Sequence, residues 1–114
     1  MFTHLIRATQ CSLKGLTTIW REESAFRMEC ILLVVTAIIS LYIDVTKIER
    51  LFLIISIGFI LIAEVINTAI ENIIDRFGKE KHILSGKAKD IGSALVFLTF
   101  LLAIFIWIYI LCVK

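Results

Sequence analysis

An apolar run long enough to cross a bilayer, broken on one side only by acids and amides, constrains this chain most. Residues 51–75 read LFLIISIGFILIAEVINTAIENIID. On a helix turning about 100° per residue, Asn67, Thr68, Glu71 and Asp75 follow Glu64 at i+3, i+4, i+7 and i+11, so all five share one stripe. Asn72 and Arg76 sit to one side of it. A carboxylate inside a membrane span costs about 2.5–3.5 kcal/mol on insertion scales. A seam that only glues helices together ordinarily uses Ser, Thr, Asn or Gln. Two glutamates on one face, with Asp75 at the helix end, therefore point to a site that binds cations or phosphate.

The remainder of the chain fits a membrane. Its 114 residues are 60% hydrophobic and contain no proline, and the mean hydropathy is +0.97. A soluble domain of that length has too little interior for so much apolar surface. The expected fold is therefore all-α and integral to the membrane, with residues 1–114 as a single domain. Cys11, Cys30 and Cys112 are odd in number, widely spaced and form no CxxC pair, which argues against a disulfide framework or zinc site. His4, Arg7, Gln10 and Lys14 interrupt the N-terminal segment, so no signal peptide is expected. A net charge of +2 gives no reason to expect a nucleic-acid partner.

Residues 2–22 read as an amphipathic surface helix. Phe2, Leu5, Ile6, Thr9, Leu13, Leu16, Ile19 and Trp20 recur at helical spacing, with Arg7, Lys14 and Arg21 on the other side. Such a helix lies in the interface, its cations toward lipid headgroups. A first span is expected over residues 24–43, a second over 51–76 and a third over 91–113. Residues 44–50 form a short polar turn between the first two spans, and residues 77–90 a polar loop between the last two. Gly78 suits the end of the second span, and Ala88, Gly92, Ser93 and Ala94 suit close helix approach near the third. Lys and Arg are concentrated in the N-terminal segment and the second loop. The positive-inside rule places both in the cytoplasm, in a multi-pass membrane protein.

Glu23, Glu71, Asp75 and Asp90 then converge on the cytoplasmic face. One or two carboxylates plus phosphate oxygens is the usual way to hold Mg²⁺. Lys79, Lys81, Lys87 and Lys89 can meet phosphates as point charges. Glu64 lies deeper, and a carboxylate withdrawn from water is a competent general base. No Walker A sequence is present: SGKAKD has the wrong glycine spacing and no preceding strand. The protein-kinase signatures are absent too. His4 and His82 stand singly, as solvated histidines do. On these residues alone, a kinase at the membrane surface and a small oligomeric proton or cation transporter are equally well accommodated.

AEVINTAIENIIDR (63–76) followed by EKHILSGKAKDIGSA (80–94) resembles the prokaryotic diacylglycerol kinase family of small membrane lipid kinases. WREESAFRME (20–29) resembles it as well, and the likeness runs over nearly the whole chain. Undecaprenol kinases share the first motif. They lack the S-G before x-A-K-D and the G-S-A after it, so Ser85, Gly86, Gly92, Ser93 and Ala94 favour the diacylglycerol branch.

The resemblance implies ATP-dependent phosphorylation of 1,2-diacylglycerol to phosphatidic acid by a homotrimer with active sites shared between subunits. It implies that Glu64 is the catalytic base toward the lipid hydroxyl. It implies that Glu23 and Glu71 hold Mg²⁺ and, through it, ATP. Glu80, Lys81, His82, Lys89 and Asp90 match nucleotide contacts, although Lys81 replaces an aromatic residue. Asn67 and Asp75 support the same stripe. Trp20, Phe26, Arg27, Glu29, Ser93 and Trp107, with Glu64, match the lipid site. Three positions depart from the family. His4 replaces an arginine, Cys11 a tyrosine and Tyr42 a tryptophan. A histidine carries less charge at neutral pH than an arginine, and Arg7 is the candidate substitute.

Overall fold

Thr46 begins the helix on which the others pack. Its hydroxyl accepts from the Glu49 amide at 3.1 Å, and the Glu49 carboxylate accepts from the Thr46 amide at 2.9 Å. This reciprocal capping box satisfies two amides that the first turn would otherwise leave unpaired. The central helix consequently starts at Lys47, earlier than the expected Leu51. The computed structural model describes residues 1–78 and 82–113. Its elements are α1 (Phe2–Glu22), α2 (Ser24–Tyr42), α3 (Lys47–Arg76) and α4 (Ile83–Cys112), with no strand among the described residues.

The three long helices, α2, α3 and α4, are long and apolar enough to cross a membrane. α2 has 19 residues, about 28 Å at 1.5 Å per residue, which matches a hydrocarbon core of about 30 Å. α3 lies between α2 and α4. Its buried residues are Leu53, Ser56, Ile57, Ile60, Ala63, Glu64, Asn67 and Thr68, a single face repeating every three or four positions. Ile57 and Ile60 meet Ala103 of α4, with Leu33 of α2 and Trp107 of α4 packed against them. The Trp107 indole N–H donates to the Leu53 carbonyl at 3.2 Å and to the Ser56 hydroxyl at 3.1 Å. Large apolar side chains such as Val34, Ile38, Phe97 and Phe105 point away from the chain. They are surface for lipid or for another copy.

Arg50 closes the α2–α3 turn. Its Nε donates to the Ser40 carbonyl at 2.7 Å, and one Nη reaches the Ile43 and Val45 carbonyls at 3.4 Å. Ser40 and Ile43 stand at the end of α2, where carbonyls lack intrahelical partners, and Val45 lies in the turn. At the other end of α3 the chain leaves through Gly78, at φ 101°, where a glycine relieves the steric cost of the left-handed region. α4 begins at Ile83 rather than near Ile91, because the His82 side chain caps it: Nδ1 accepts from the Leu84 amide at 3.1 Å. The stretch from Ser85 to Asp90, expected as loop, is helical.

Candidate active site

Glu23 is the single non-helical residue between α1 and α2, at φ −114° and ψ 107°. One extended residue turns the chain without a loop. The turn is fixed by Arg27, whose guanidinium donates to the Trp20 carbonyl at 2.7 Å and the Arg21 carbonyl at 3.0 Å. Those are last-turn carbonyls of α1, so Arg27 acts as a C-terminal cap. The Glu23 side chain makes no capping bond and is left to line the space between α1 and α3.

That space is a groove of about 730 Å³. Cys11, Lys14, Glu22 and Glu23 face it from α1 and the junction, and Val65, Thr68, Ala69 and Asn72 from α3. Cys11 is thus on the groove wall. His4 and Arg7 are exposed one to two turns earlier on α1.

The stripe on α3 passes from interior to water along its length. Glu64, Asn67 and Thr68 are each 8% exposed, whereas Glu71 and Asp75 are open. Glu64 lies within electrostatic reach of Glu71, Glu23 and Glu29, and within hydrogen-bonding reach of Glu29. Four carboxylates from three segments of sequence are therefore gathered around one helix face. Asn67 Nδ2 donates to Glu71 Oε1 at 3.0 Å, which orients that carboxylate. Asp75 pairs with Lys89 of α4 at 2.9 Å, and Lys89 also feels Glu71. Lys87 and Asp90 stand on the same opening turns of α4.

Each residue expected for the lipid site has a definite place. Phe26 and Glu29 are buried on the first turns of α2, Glu29 beside Glu64. Trp20 is partly exposed at the end of α1. Ser93 is exposed next to the buried Gly92. Trp107 is bonded to α3 at Leu53 and Ser56. Ser56 is about 12 Å along the helix from Glu64, so Trp107 is not gathered into the acidic cluster. His82 caps α4 through Nδ1, which puts the ring proton of its neutral form on Nε2. Glu80, Lys81 and Lys79 lie outside the described residues. Asn72, which the sequence sets beside the stripe, and Thr68, a stripe member with no separate role there, both face the groove. Their spacing from Glu64, i+8 and i+4, is the signal that marks them.

Buried polar atoms test whether a cation fits here. Glu29 Oε2 and Asn67 Oδ1 are shielded from water and have no hydrogen-bond partner. Both are acceptors; Glu29 Oε2 lies beside Glu64, where a donor or a cation would satisfy it, whereas Asn67 Oδ1 packs against Gly92. Among the described residues no group of three or more His, Cys, Asp or Glu side chains forms a ready metal cage. Mg²⁺ needs none, since it keeps waters and phosphate oxygens and takes only one or two carboxylates. Glu23, on the groove, and Glu71, oriented by Asn67, are oxygen ligands of the kind that fit such an ion.

Comparison with known proteins gives a consistent set of relatives. Residues 10–111 match a family model described as prokaryotic diacylglycerol kinase. A diacylglycerol kinase of Escherichia coli strain K12 is 42% identical over 106 residues, covering 93% of this chain and 87% of that protein. A diacylglycerol kinase of Haemophilus influenzae is 41% identical, covering 92% and 89%. A diacylglycerol kinase of Pseudomonas aeruginosa is 38% identical, covering 90% and 84%.

Proposed function

This chain belongs to the prokaryotic diacylglycerol kinase family, and we propose that it transfers the γ-phosphoryl group of ATP to the primary hydroxyl of 1,2-diacylglycerol, yielding phosphatidic acid and ADP. The observation that carries this reading is the position of Glu64. It is buried at membrane depth and lies on the same helix face as Glu71, which opens to water about 10 Å farther along. One end of the stripe suits a lipid headgroup and the other a soluble nucleotide.

Phosphoryl transfer asks a protein mainly for positioning and charge neutralisation. Glu64 accepts a hydrogen bond from the lipid hydroxyl and takes its proton as the oxygen bonds to the γ-phosphorus. The bond from that phosphorus to the bridging oxygen of ADP breaks in line. Glu29, beside Glu64, and Phe26 hold the glycerol end. Glu23 and Glu71 would hold Mg²⁺, which when bound supplies positive charge to the phosphates. Lys89, now paired with Asp75, stands at the mouth of the site as a further cation for phosphate. Glu80, Lys81, His82 and Asp90 complete the nucleotide site on this reading, and Trp20, Arg27 and Ser93 the lipid site.

The distribution of Lys and Arg favours an inner-membrane protein with its N-terminus and site in the cytoplasm, where ATP is found. Three spans are few to enclose a polar stripe, so the working form is a homo-oligomer, a trimer. Purified protein in mixed micelles with γ-labelled ATP and a panel of lipid alcohols tests the reading. Label is expected in phosphatidic acid. Label confined to undecaprenyl phosphate, or ion flux through liposomes without any phosphoryl transfer, would overturn it.

A further inference from the structure

Serine and threonine hydroxyls on helices commonly bond back to a carbonyl one turn earlier. Ser40 and Ser56, the other buried hydroxyls among the described residues, do so at 2.7 Å, to the Ala37 and Leu53 carbonyls. Thr9, Ser12, Thr17 and Thr18 do the same along α1. Thr68 does not. Its Oγ1 is shielded from water and has no partner, although the Glu64 carbonyl stands one turn before it. A buried hydroxyl left unpaired is costly, and its retention calls for a ligand that completes it.

Thr68 lines the α1–α3 groove together with Glu23, one helical turn from Glu64 on the same face. The groove's other hydroxyls, Ser12 and Thr18, are committed to the Ala8 and Lys14 carbonyls of their own helix. Glu22 and Glu23 offer only acceptors when ionised. A phosphoryl group lying between Glu23 and Glu64 has oxygens that need donors; Lys14 and Asn72 offer theirs from the groove wall, and both are exposed. Thr68 is the buried donor at that position.

We propose that the Thr68 hydroxyl donates a hydrogen bond to a non-bridging oxygen of the phosphoryl group during its transfer. The proposal rests on the kinase reading above. It assigns a substrate contact to a residue that otherwise only fills space on α3. A contact of this kind strengthens as charge spreads over the phosphoryl oxygens, so it belongs to kcat rather than to ground-state binding.

The test uses the intact protein in mixed micelles with Thr68→Val, Thr68→Ala and Thr68→Ser. Steady-state constants for ATP and diacylglycerol are measured alongside nucleotide affinity at equilibrium. Loss of a hydrogen bond to a charged group corresponds to a decrease of about ten- to a hundredfold. Val and Ala are expected to show that decrease in kcat, with the KM for lipid unchanged, while Ser keeps the parent's kcat. Normal turnover by both Val and Ala would overturn the proposal. So would a Ser variant as impaired as Val, which would trace the effect to the threonine methyl. A loss confined to the KM for lipid would also overturn it, by moving the contact to the glycerol. If the parent protein makes no phosphatidic acid, the kinase reading fails instead, and the two failures are told apart by that control.

Discussion

Asn67 occupies the space that a side chain at residue 92 would need. A Cβ built on Gly92 would collide with Asn67 Oδ1, and would lie 3.4 Å from Asn67 Cγ and 3.6 Å from Ile70 Cδ1. α3 and α4 thus approach closely at the level of the site because one helix presents an amide and the other no side chain. The same Asn67 donates to Glu71, so the helix contact and the orientation of a proposed metal ligand share one residue.

Gly92→Ala is expected to displace Asn67 and part the helices. Overpacking of this kind costs about 1–3 kcal/mol. Activity should fall with it, because the Asn67–Glu71 bond is lost. Gly86→Ala is the control: it lies on the same helix with nothing within 4 Å of its Cβ, and should be neutral or mildly stabilising. Thermal unfolding and kcat for the pair check both expectations. Equal behaviour of the two variants would remove Gly92 from this role.

Glu64→Gln removes the proton acceptor and leaves the shape nearly unchanged. General-base removal costs about 10²–10⁴ in rate. The loss should fall on kcat, with nucleotide affinity close to the parent's. A variant that turns over normally would take Glu64 out of the chemistry. One that folds but cannot bind nucleotide would place it in the nucleotide site.

Glu71→Gln and Glu23→Gln should each weaken nucleotide binding in the presence of Mg²⁺. Glutamine at 71 still offers an oxygen to Asn67, so what changes is the charge. A decrease of at least about tenfold is expected, the scale on which even the outer partners of metal ligands matter. Titration of each variant with and without Mg²⁺ is the measurement. Affinities that match the parent's in both variants would show that these carboxylates hold no metal.

Trp107→Phe deletes two hydrogen bonds to α3, to the Leu53 carbonyl and the Ser56 hydroxyl. Ser56 keeps its own bond to Leu53, so no buried hydroxyl is stranded. A loss of about 1–3 kcal/mol is expected from the two bonds. It should appear as a lower unfolding temperature. An unchanged unfolding temperature together with a raised KM for lipid would mean that the indole serves the substrate instead.

Glu71 and the groove are open to water in the single chain, and a polar stripe at membrane depth cannot face lipid. A homo-oligomer is expected, and its mass in detergent measures it. Full activity at a monomeric mass would count against the shared site.

The helices were largely legible from local chemistry. Residues 2–22 announce α1 by periodicity, and the uncharged runs announce the spans. Glu64, Glu71 and Asp75 share a stripe because helical geometry makes i, i+7 and i+11 neighbours, whatever surrounds them. The starts of α3 and α4 were misplaced for a local reason as well. Polarity alone reads these residues as loop, although Thr46 and Glu49 carry a capping box and His82 caps α4, which carries the helix through Gly86.

What the sequence could not give was which helix faces meet and at what height. Periodicity reports that a face is apolar or polar. It does not report the side chain opposite, because that depends on how three helices slide and rotate against one another. Glu29 beside Glu64, Gly92 under Asn67, Arg27 on the carbonyls of α1 and the unmet hydroxyl of Thr68 all depend on that register. The sequence by itself determined the membrane, the helices and the acidic stripe, since each follows from neighbours along the chain. The tertiary structure alone decided which acids share a site and which polar atoms are left for a ligand, since packing between helices chooses those partners.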